Sequence, residues 1–228
     1  LLHFKRIQRL CFALFPVNLQ PISFHEIYVH HMKNIILVRH TTVDIQPGVH
    51  YGQTDVPLCS NFPLEAAVVK ACLSNYGRFD LSFSSPLTRC TRLAEYCGYP
   101  DAILDDRLME RNLGDWEMQA SETIADPLYD AWRDNPYRVA ATRGESFSDM
   151  IDRVSDFMDD LSEMDFSQCV IFTHGGVIAC AMVWKGLCTW EEALHIKTTY
   201  GCLIQLGRPV PKAKMADAKT IALPSVDR

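Results

Sequence analysis

Two arginines and two histidines, far apart along the chain, each follow a short apolar run. Arg39-His40 comes directly after Ile35-Ile36-Leu37-Val38, and Arg89 follows Leu81-Ser82-Phe83-Ser84 by way of Ser85-Pro86. His174, with Gly175-Gly176 behind it, follows Cys169-Val170-Ile171-Phe172-Thr173. Glu110 stands in Leu108-Met109-Glu110-Arg111-Asn112-Leu113-Gly114. Guanidiniums offer planar, bidentate donors that match phosphate or carboxylate oxygens. A helix opening at Gly175-Gly176 adds free amides and its positive dipole end, which favour the same anion. A neutral imidazole is a nucleophile toward phosphorus, and a nearby carboxylic acid can protonate a departing alkoxide. The sequence has no H-E-x-x-H motif and no carboxylate cluster suited to magnesium, so charge stabilisation falls to protein groups, with no metal and no cofactor implied. Phosphoryl transfer through a phosphohistidine is the chemistry that uses all of these groups.

Taken singly, each residue has a plainer reading. Arg-His after a strand is a common dipeptide, an arginine on a helix is usually a surface charge, and a lone glutamate says little. His174 is more telling, because glycine permits close backbone approach to a ligand. The weight lies in the combination, with each group at the exit of a strand.

The elements that must position them alternate between strand and helix. Ile35–Val38 and Cys169–Phe172 are continuous apolar runs, the pattern of strands buried on both faces. Leu81–Ser84, Ala102–Leu104 and Leu203–Leu206 are further strands. Leu64, Ala67, Val68, Ala71 and Cys72 recur at helical spacing and predict a helix with that face inward. Ser85 as N-cap and Pro86 at the first helical position predict a second helix, which buries Cys90, Leu93, Ala94 and Cys97 and ends at Gly98. Ser146–Leu161 carries one apolar stripe, with Asp149, Asp152, Arg153, Asp156, Asp159 and Asp160 reading as a solvated face. Val177–Trp184 is apolar all round, a core helix. This alternation predicts a three-layer α/β/α sandwich with a mostly parallel central sheet, whose ligands collect at the carboxyl ends of the strands.

Of the 228 residues, 48 % are apolar and 22 % charged, which excludes a largely disordered chain. The net charge of −6 argues against nucleic acid or a membrane as partner, while leaving room for a small anionic substrate. Nine cysteines without a C-x-x-C pair read as buried free thiols in a reducing, cytoplasmic setting. Residues 1–31 lack sustained periodicity. The run Leu10 to Val17, preceded by Lys5, Arg6 and Arg9, is too short to span a membrane and has no cleavage site behind it. Met32 is therefore the expected natural start, residues 1–31 a non-native or disordered extension, and residues 32–228 a single domain. In the tail after residue 207, peripheral to that domain, Thr220–Leu223 is a candidate edge strand.

The motifs Leu37-Val38-Arg39-His40, Ser85-Pro86-Leu87-x-Arg89-Cys90, Glu110-x-x-x-Gly114-x-Trp116-Glu117, Gly144-Glu145-Ser146 and Thr173-His174-Gly175-Gly176 resemble the histidine phosphatase, or phosphoglycerate-mutase-like, superfamily. The resemblance runs from Asn34 to Leu206. Tyr51-Gly52-Gln53-Thr54-Asp55-Val56-Pro57-Leu58 looks most like the branch of alpha-ribazole phosphatases, which act in cobalamin assembly. The resemblance implies that His40 carries the phosphoryl group, that Arg39, Arg89 and His174 hold its oxygens with His174 protonated or donating, and that Glu110 serves as acid and then base. Gln46 stands where many relatives have an asparagine on the phosphate. Tyr51 and Thr54 would line the entrance, and Glu145 would orient the pocket. Thr41 departs from the glycine most relatives carry, and Asn61-Phe62-Pro63 lacks the usual glycine of the next helix start.

The implied activity is a metal-independent phosphomonoesterase, acting on alpha-ribazole 5′-phosphate or its cobalamin-linked form. The alternatives are a phosphoglycerate mutase, a broad-specificity sugar or nucleotide phosphatase, and a non-catalytic phospholigand-binding module. Little chain is left for a closing lid, which favours hydrolysis over the mutase. Tyr51, Trp116, Trp132 and Tyr137 could rim a flat base or serve only in packing. Oligomeric state leaves no mark in the sequence.

Overall fold

The computed structural model describes residues 33–207. The expected extension 1–31, the Met32 start, Cys11 and the candidate strand Thr220–Leu223 lie outside the described residues. Five strands, β1 (Asn34–Arg39), β2 (Leu81–Ser84), β3 (Ile103–Leu104), β4 (Gln168–Thr173) and β5 (Leu203–Leu206), form one sheet in the order β3-β2-β4-β1-β5. The first four are mutually parallel and β5 lies antiparallel on β1. Side chains alternate across the pleat. Ile35, Leu37, Phe83, Cys169 and Ile171 thus face one core, which α4 (Phe147–Glu163) and α5 (Gly175–Trp184) complete. Ile36, Val38, Val170 and Phe172 face the other core, with α1 (Phe62–Ser74) and α2 (Thr88–Cys97). The expected three-layer sandwich is the observed one.

Ser146 caps α4 through a reciprocal capping box with Asp149, which satisfies two backbone donors at the helix start. Gly98 ends α2 in the left-handed region at φ 100°, where a Cβ would be strained.

Three expectations need correction. In α1 the inward residues are Glu65, Ala66, Val69 and Leu73, whereas Ala67, Ala71 and Cys72 are exposed and Leu64 is 75 % exposed. The segment is apolar on nearly every side, so its rotation is set by a polar anchor: the Glu65 carboxylate accepts from the Thr42 amide at 2.7 Å, the Thr42 hydroxyl at 2.8 Å and the Asn61 amide at 2.7 Å. Helix α2 starts at Thr88 with Leu87 at its N-cap, leaving Ser85 and Pro86 in the turn before it. Ala102 falls outside β3, an edge strand of only two residues.

The loop between β3 and α4 folds around its own small cluster of Trp116, Tyr129 and Ala141, with Trp132 against it. The short helix α3 (Leu128–Asp134) belongs to this part. Tyr137 stacks on Trp190, the first residue of α6 (Trp190–Ala193), with ring centroids 4.0 Å apart. Trp116, Trp132 and Tyr137 therefore take the packing role rather than the rim of a base-binding site. Cys72, Cys90, Cys97, Cys169, Cys180, Cys188 and Cys202 are free thiols. Cys90, Cys97, Cys169 and Cys180 are buried, but Cys72 is exposed. Among the described residues, no helix is long and apolar enough to cross a membrane.

Candidate active site

Parallel strands β1, β2 and β4 end at one edge of the sheet, and the predicted groups meet there. The His40 amide donates to the Thr173 carbonyl at 3.0 Å, tying the exits of β1 and β4 together. The His40 and His174 rings lie 5.2 Å apart. Arg89 in the first turn of α2 donates from Nε to His174 Nδ1 at 3.3 Å. His40, Arg89 and His174 are all buried, at 1 %, 0 % and 0 % exposure.

The loop after β1 holds Arg89 from the other side. Its Nη1 donates to the Thr54 carbonyl at 2.9 Å and its Nη2 to the Gly52 carbonyl at 2.6 Å. That loop is pinned by Glu117, which accepts from the Gln53 amide at 2.7 Å and from both the amide and hydroxyl of Thr54. Thr54 thus supports Arg89 with its carbonyl, while its donors are taken up by Glu117. Gln46 is exposed, and its side chain makes no hydrogen bond to the described residues. Tyr51 reaches the site, its ring 5.4 Å from the Arg89 guanidinium carbon. Arg39 donates from Nη1 to the Thr198 carbonyl and lies 4.1 Å from the Tyr200 ring centroid. Its Nε is buried with no hydrogen-bond partner, as is the Thr41 hydroxyl.

Glu110 faces the start of α5. Its carboxylate accepts from the Arg111 amide at 2.9 Å and the Gly176 amide at 3.1 Å. A Cβ at position 176 would stand 2.2 Å from Glu110 Oε1, and one at 175 would stand 2.9 Å from Thr198 Oγ1. The glycine pair therefore makes room for the acid and for the loop that holds Arg39. Glu145 sits behind this arrangement, accepting from the Asn112 amide at 2.7 Å and pairing with Arg153 at 2.6 Å. Arg153 in turn donates to the Glu110 carbonyl at 3.1 Å and the Arg107 carbonyl at 2.7 Å. Arg153 is thus no part of a solvated face: it anchors the backbone that carries the acid.

Both imidazoles are neutral here. His40 Nδ1 lies 2.8 Å from the Thr41 carbonyl, an acceptor only, so Nδ1 carries the proton and Nε2 keeps its lone pair. Burial, reinforced by Arg89, lowers the His40 pKa to about 3. Burial also drives His174 well below its usual value, with His40 and then Arg89 adding to the effect. Since Arg89 donates to His174 Nδ1, the His174 proton sits on Nε2 and donates to Ser85 Oγ at 2.8 Å. Of the two expected states of His174, the neutral donor is the one the free site holds. Neither Arg39 nor Arg89 is paired with a carboxylate among the described residues. Arg89 is buried and Arg39 half-buried; a cation withdrawn from water without a counter-charge is costly, and an anion bound between them offsets that cost. A cavity of about 510 Å³ adjoins Arg39, lined also by Glu110, Arg111 and Lys197 with apolar walls that include Phe147 and Leu194. No group of three or more His, Cys, Asp or Glu side chains among the described residues is placed to hold a metal ion.

The family model for the histidine phosphatase superfamily (branch 1) matches residues 35–209. The chain belongs to the histidine phosphatase superfamily. Phosphoserine phosphatase 1 of Hydrogenobacter thermophilus is 27 % identical over 159 residues, 66 % of this chain and 74 % of that protein. The adenosylcobalamin/alpha-ribazole phosphatase of Escherichia coli is 26 % identical over 181 residues, 73 % of this chain and 85 % of its own length. The crystal structure of the alpha-ribazole phosphatase from Shigella flexneri superposes with a TM-score of 0.68 at 25 % identity, covering 75 % of this chain and 89 % of that one. This histidine phosphatase is a hydrolase of the phosphatase class, in keeping with those relatives.

Sequence reasoning missed four residues around the site of this phosphatase. Glu117 lay within a motif, but its carboxylate clamp on the 52–54 loop carried no signal of its own. Arg153 was hidden in a charge run. Ser85 was assigned to helix capping, and Tyr200 is a single aromatic in an irregular segment.

Proposed function

We propose that this histidine phosphatase hydrolyses small phosphomonoesters without a metal, through a phosphohistidine on His40. The observation that carries the reading is the bare Nε2 of a buried, neutral His40 beside two guanidiniums, Arg89 buried and Arg39 half-buried, that lack a carboxylate partner among the described residues. Nε2 attacks phosphorus and the ester P–O bond breaks, with Glu110 giving its proton to the leaving oxygen. Water then attacks phosphorus, the P–N bond breaks, and the Glu110 carboxylate takes the water's proton. Phosphate leaves and both side chains return to their starting states. Arg39 and Arg89 hold the non-bridging oxygens, where charge grows in the transition state, joined by His174 as its Nε2–H turns from Ser85 Oγ to the substrate. Glu145, through Arg153, keeps Glu110 in place.

For the leaving group, the loop from Tyr51 to Leu58 and the likeness to the Escherichia coli enzyme support alpha-ribazole 5′-phosphate or its cobalamin-linked form, and with it a place in cobalamin biosynthesis. A second reading has its own observation. Arg111 and Lys197 line the cavity beside Glu110, which suits a leaving group that bears a carboxylate, as phosphoserine does. The free thiols of Cys72, Cys90, Cys97, Cys169, Cys180, Cys188 and Cys202 support a reducing, cytoplasmic setting.

Phosphate release in EDTA, measured side by side on p-nitrophenyl phosphate, alpha-ribazole 5′-phosphate, phosphoserine and 3-phosphoglycerate, tests this function. We expect turnover, with an acid-labile phosphoenzyme that is lost in His40→Ala. Isomerisation of 3-phosphoglycerate outrunning its hydrolysis, with bisphosphate primer present, would make the protein a mutase. No release from any ester would leave a phospholigand-binding module.

A further inference from the structure

The nucleophile is shut away. His40 is 1 % exposed, and although the cavity beside Arg39 and Glu110 comes close, His40 is not among its lining residues. A reacting phosphorus has to come within about 3–3.5 Å of Nε2, so something must move aside. Packed against the imidazole is Tyr200, whose ring centroid is 5.5 Å from that of His40 and 4.1 Å from the guanidinium carbon of Arg39. Its hydroxyl lies 3.0 Å from the hydroxyl of Tyr51, and the Tyr51 ring covers Arg89 at 5.4 Å. The two phenols thus run from one guanidinium to the other, joined by a single hydrogen bond. They come from separate loops, one after β1 and one before β5. Beside Tyr200, Gly201 has φ 68° and donates its amide to the His40 carbonyl at 3.0 Å.

We propose that Tyr51 and Tyr200 form a gate across the phosphate site, closed by their shared hydroxyl hydrogen bond and opened by the entering phosphoryl group. Closed, the rings shield His40 and hold Arg39 and Arg89 by cation–π contact, standing in for the missing anion. A phosphate dianion is a stronger partner for a guanidinium than a ring face, so its arrival favours the open form. The two tyrosines act as positioning residues and take no part in bond making. This proposal rests on the reading of His40 as the phosphoryl acceptor.

Tyr51→Phe and Tyr200→Phe each keep a ring over its arginine and remove the hydrogen bond. A neutral hydrogen bond contributes a net free energy that corresponds to about a 2- to 10-fold change in an equilibrium. Stopped-flow association of orthovanadate should therefore be faster by about 2- to 10-fold in each variant. The double variant should be no faster than the quicker single one, because both remove the same bond. Carbethoxylation of His40 by diethyl pyrocarbonate, which reads exposure of the imidazole independently of turnover, should accelerate in the same variants. Wild-type rates in both measurements, or rate gains that multiply in the double variant, would overturn the gate. Phosphohistidine formation by the wild-type protein from p-nitrophenyl phosphate separates the two levels. If none forms, the functional reading fails. If it forms while the phenylalanine variants behave as wild type, the gate alone fails.

Discussion

Gly176→Ala is the sharpest test of how the acid is placed. An added Cβ would stand 2.2 Å from Glu110 Oε1, 3.2 Å from Glu110 Cδ and 2.9 Å from Met150 Cε, whereas ordinary contact begins at 3.4 Å. Oε1 must withdraw by about 1.2 Å, which breaks its bond from the Arg111 amide at 2.9 Å and turns Oε2 away from the Gly176 amide, now at 3.1 Å. Misplacement of a catalytic group on that scale costs about 10²-fold in rate, or about 2.7 kcal/mol of transition-state stabilisation. The fold should suffer far less. Alanine is favoured over glycine in a helix by about 1 kcal/mol, which partly offsets a crowding cost of about 1–3 kcal/mol. The assay is kcat/KM on p-nitrophenyl phosphate in EDTA for Gly176→Ala, Glu110→Gln and the double variant, with thermal melts alongside. We expect Gly176→Ala to lose about 10²-fold and the double variant to fall no further than Glu110→Gln alone. Near-wild-type turnover in Gly176→Ala, or losses that multiply in the double variant, would show that position 176 does not act through Glu110.

Other outcomes follow from the same geometry. His40 is neutral when folded, with a pKa of about 3 against 6.5 in a free histidine, so as pH falls below 6.5 the unfolded chain gains a proton that the folded one refuses, and stability is lost. That loss amounts to about 2 kcal/mol at pH 5. Urea midpoints at pH 7.5 and pH 5 should show it, with a shallower pH dependence in His40→Gln; identical dependence in the two proteins would contradict the burial argument. Inorganic phosphate at a hundred times its Kd should stabilise the fold by about 2.7 kcal/mol, raising Tm in the wild type and much less in Arg39→Gln. Arg153→Met leaves Glu145 without its ion pair at 2.6 Å and should destabilise by about 1–3 kcal/mol. It should also lower kcat more than it changes KM, because the Glu110 backbone loses its anchor.

The sequence by itself determined the strands and the residues they deliver. Residues 35–38 and 169–172 read as strands because burial on both faces forces a continuous apolar run, and Arg39, His40 and His174 were legible because they adjoin those runs. Gly98 as the end of α2 was equally local, fixed by neighbours within a few residues, whereas Ser146 read as the first residue of α4 and proved to be its cap. Only the tertiary structure decided the rest. Both sides of α1 are apolar, so nothing local sets its rotation; the hydrogen bonds from Thr42 to Glu65 do. Arg153 shares its face of α4 with aspartates and looks solvated until Glu145 and the Glu110 carbonyl close on it. The Gly176 amide meets a carboxylate 66 positions away, and Tyr51 meets Tyr200 across 149 positions. Local patterning encodes which residues are buried, because burial repeats with the period of the element. Which polar group meets which depends on how the sheet is ordered and how the loops close over its edge, and no periodicity records that.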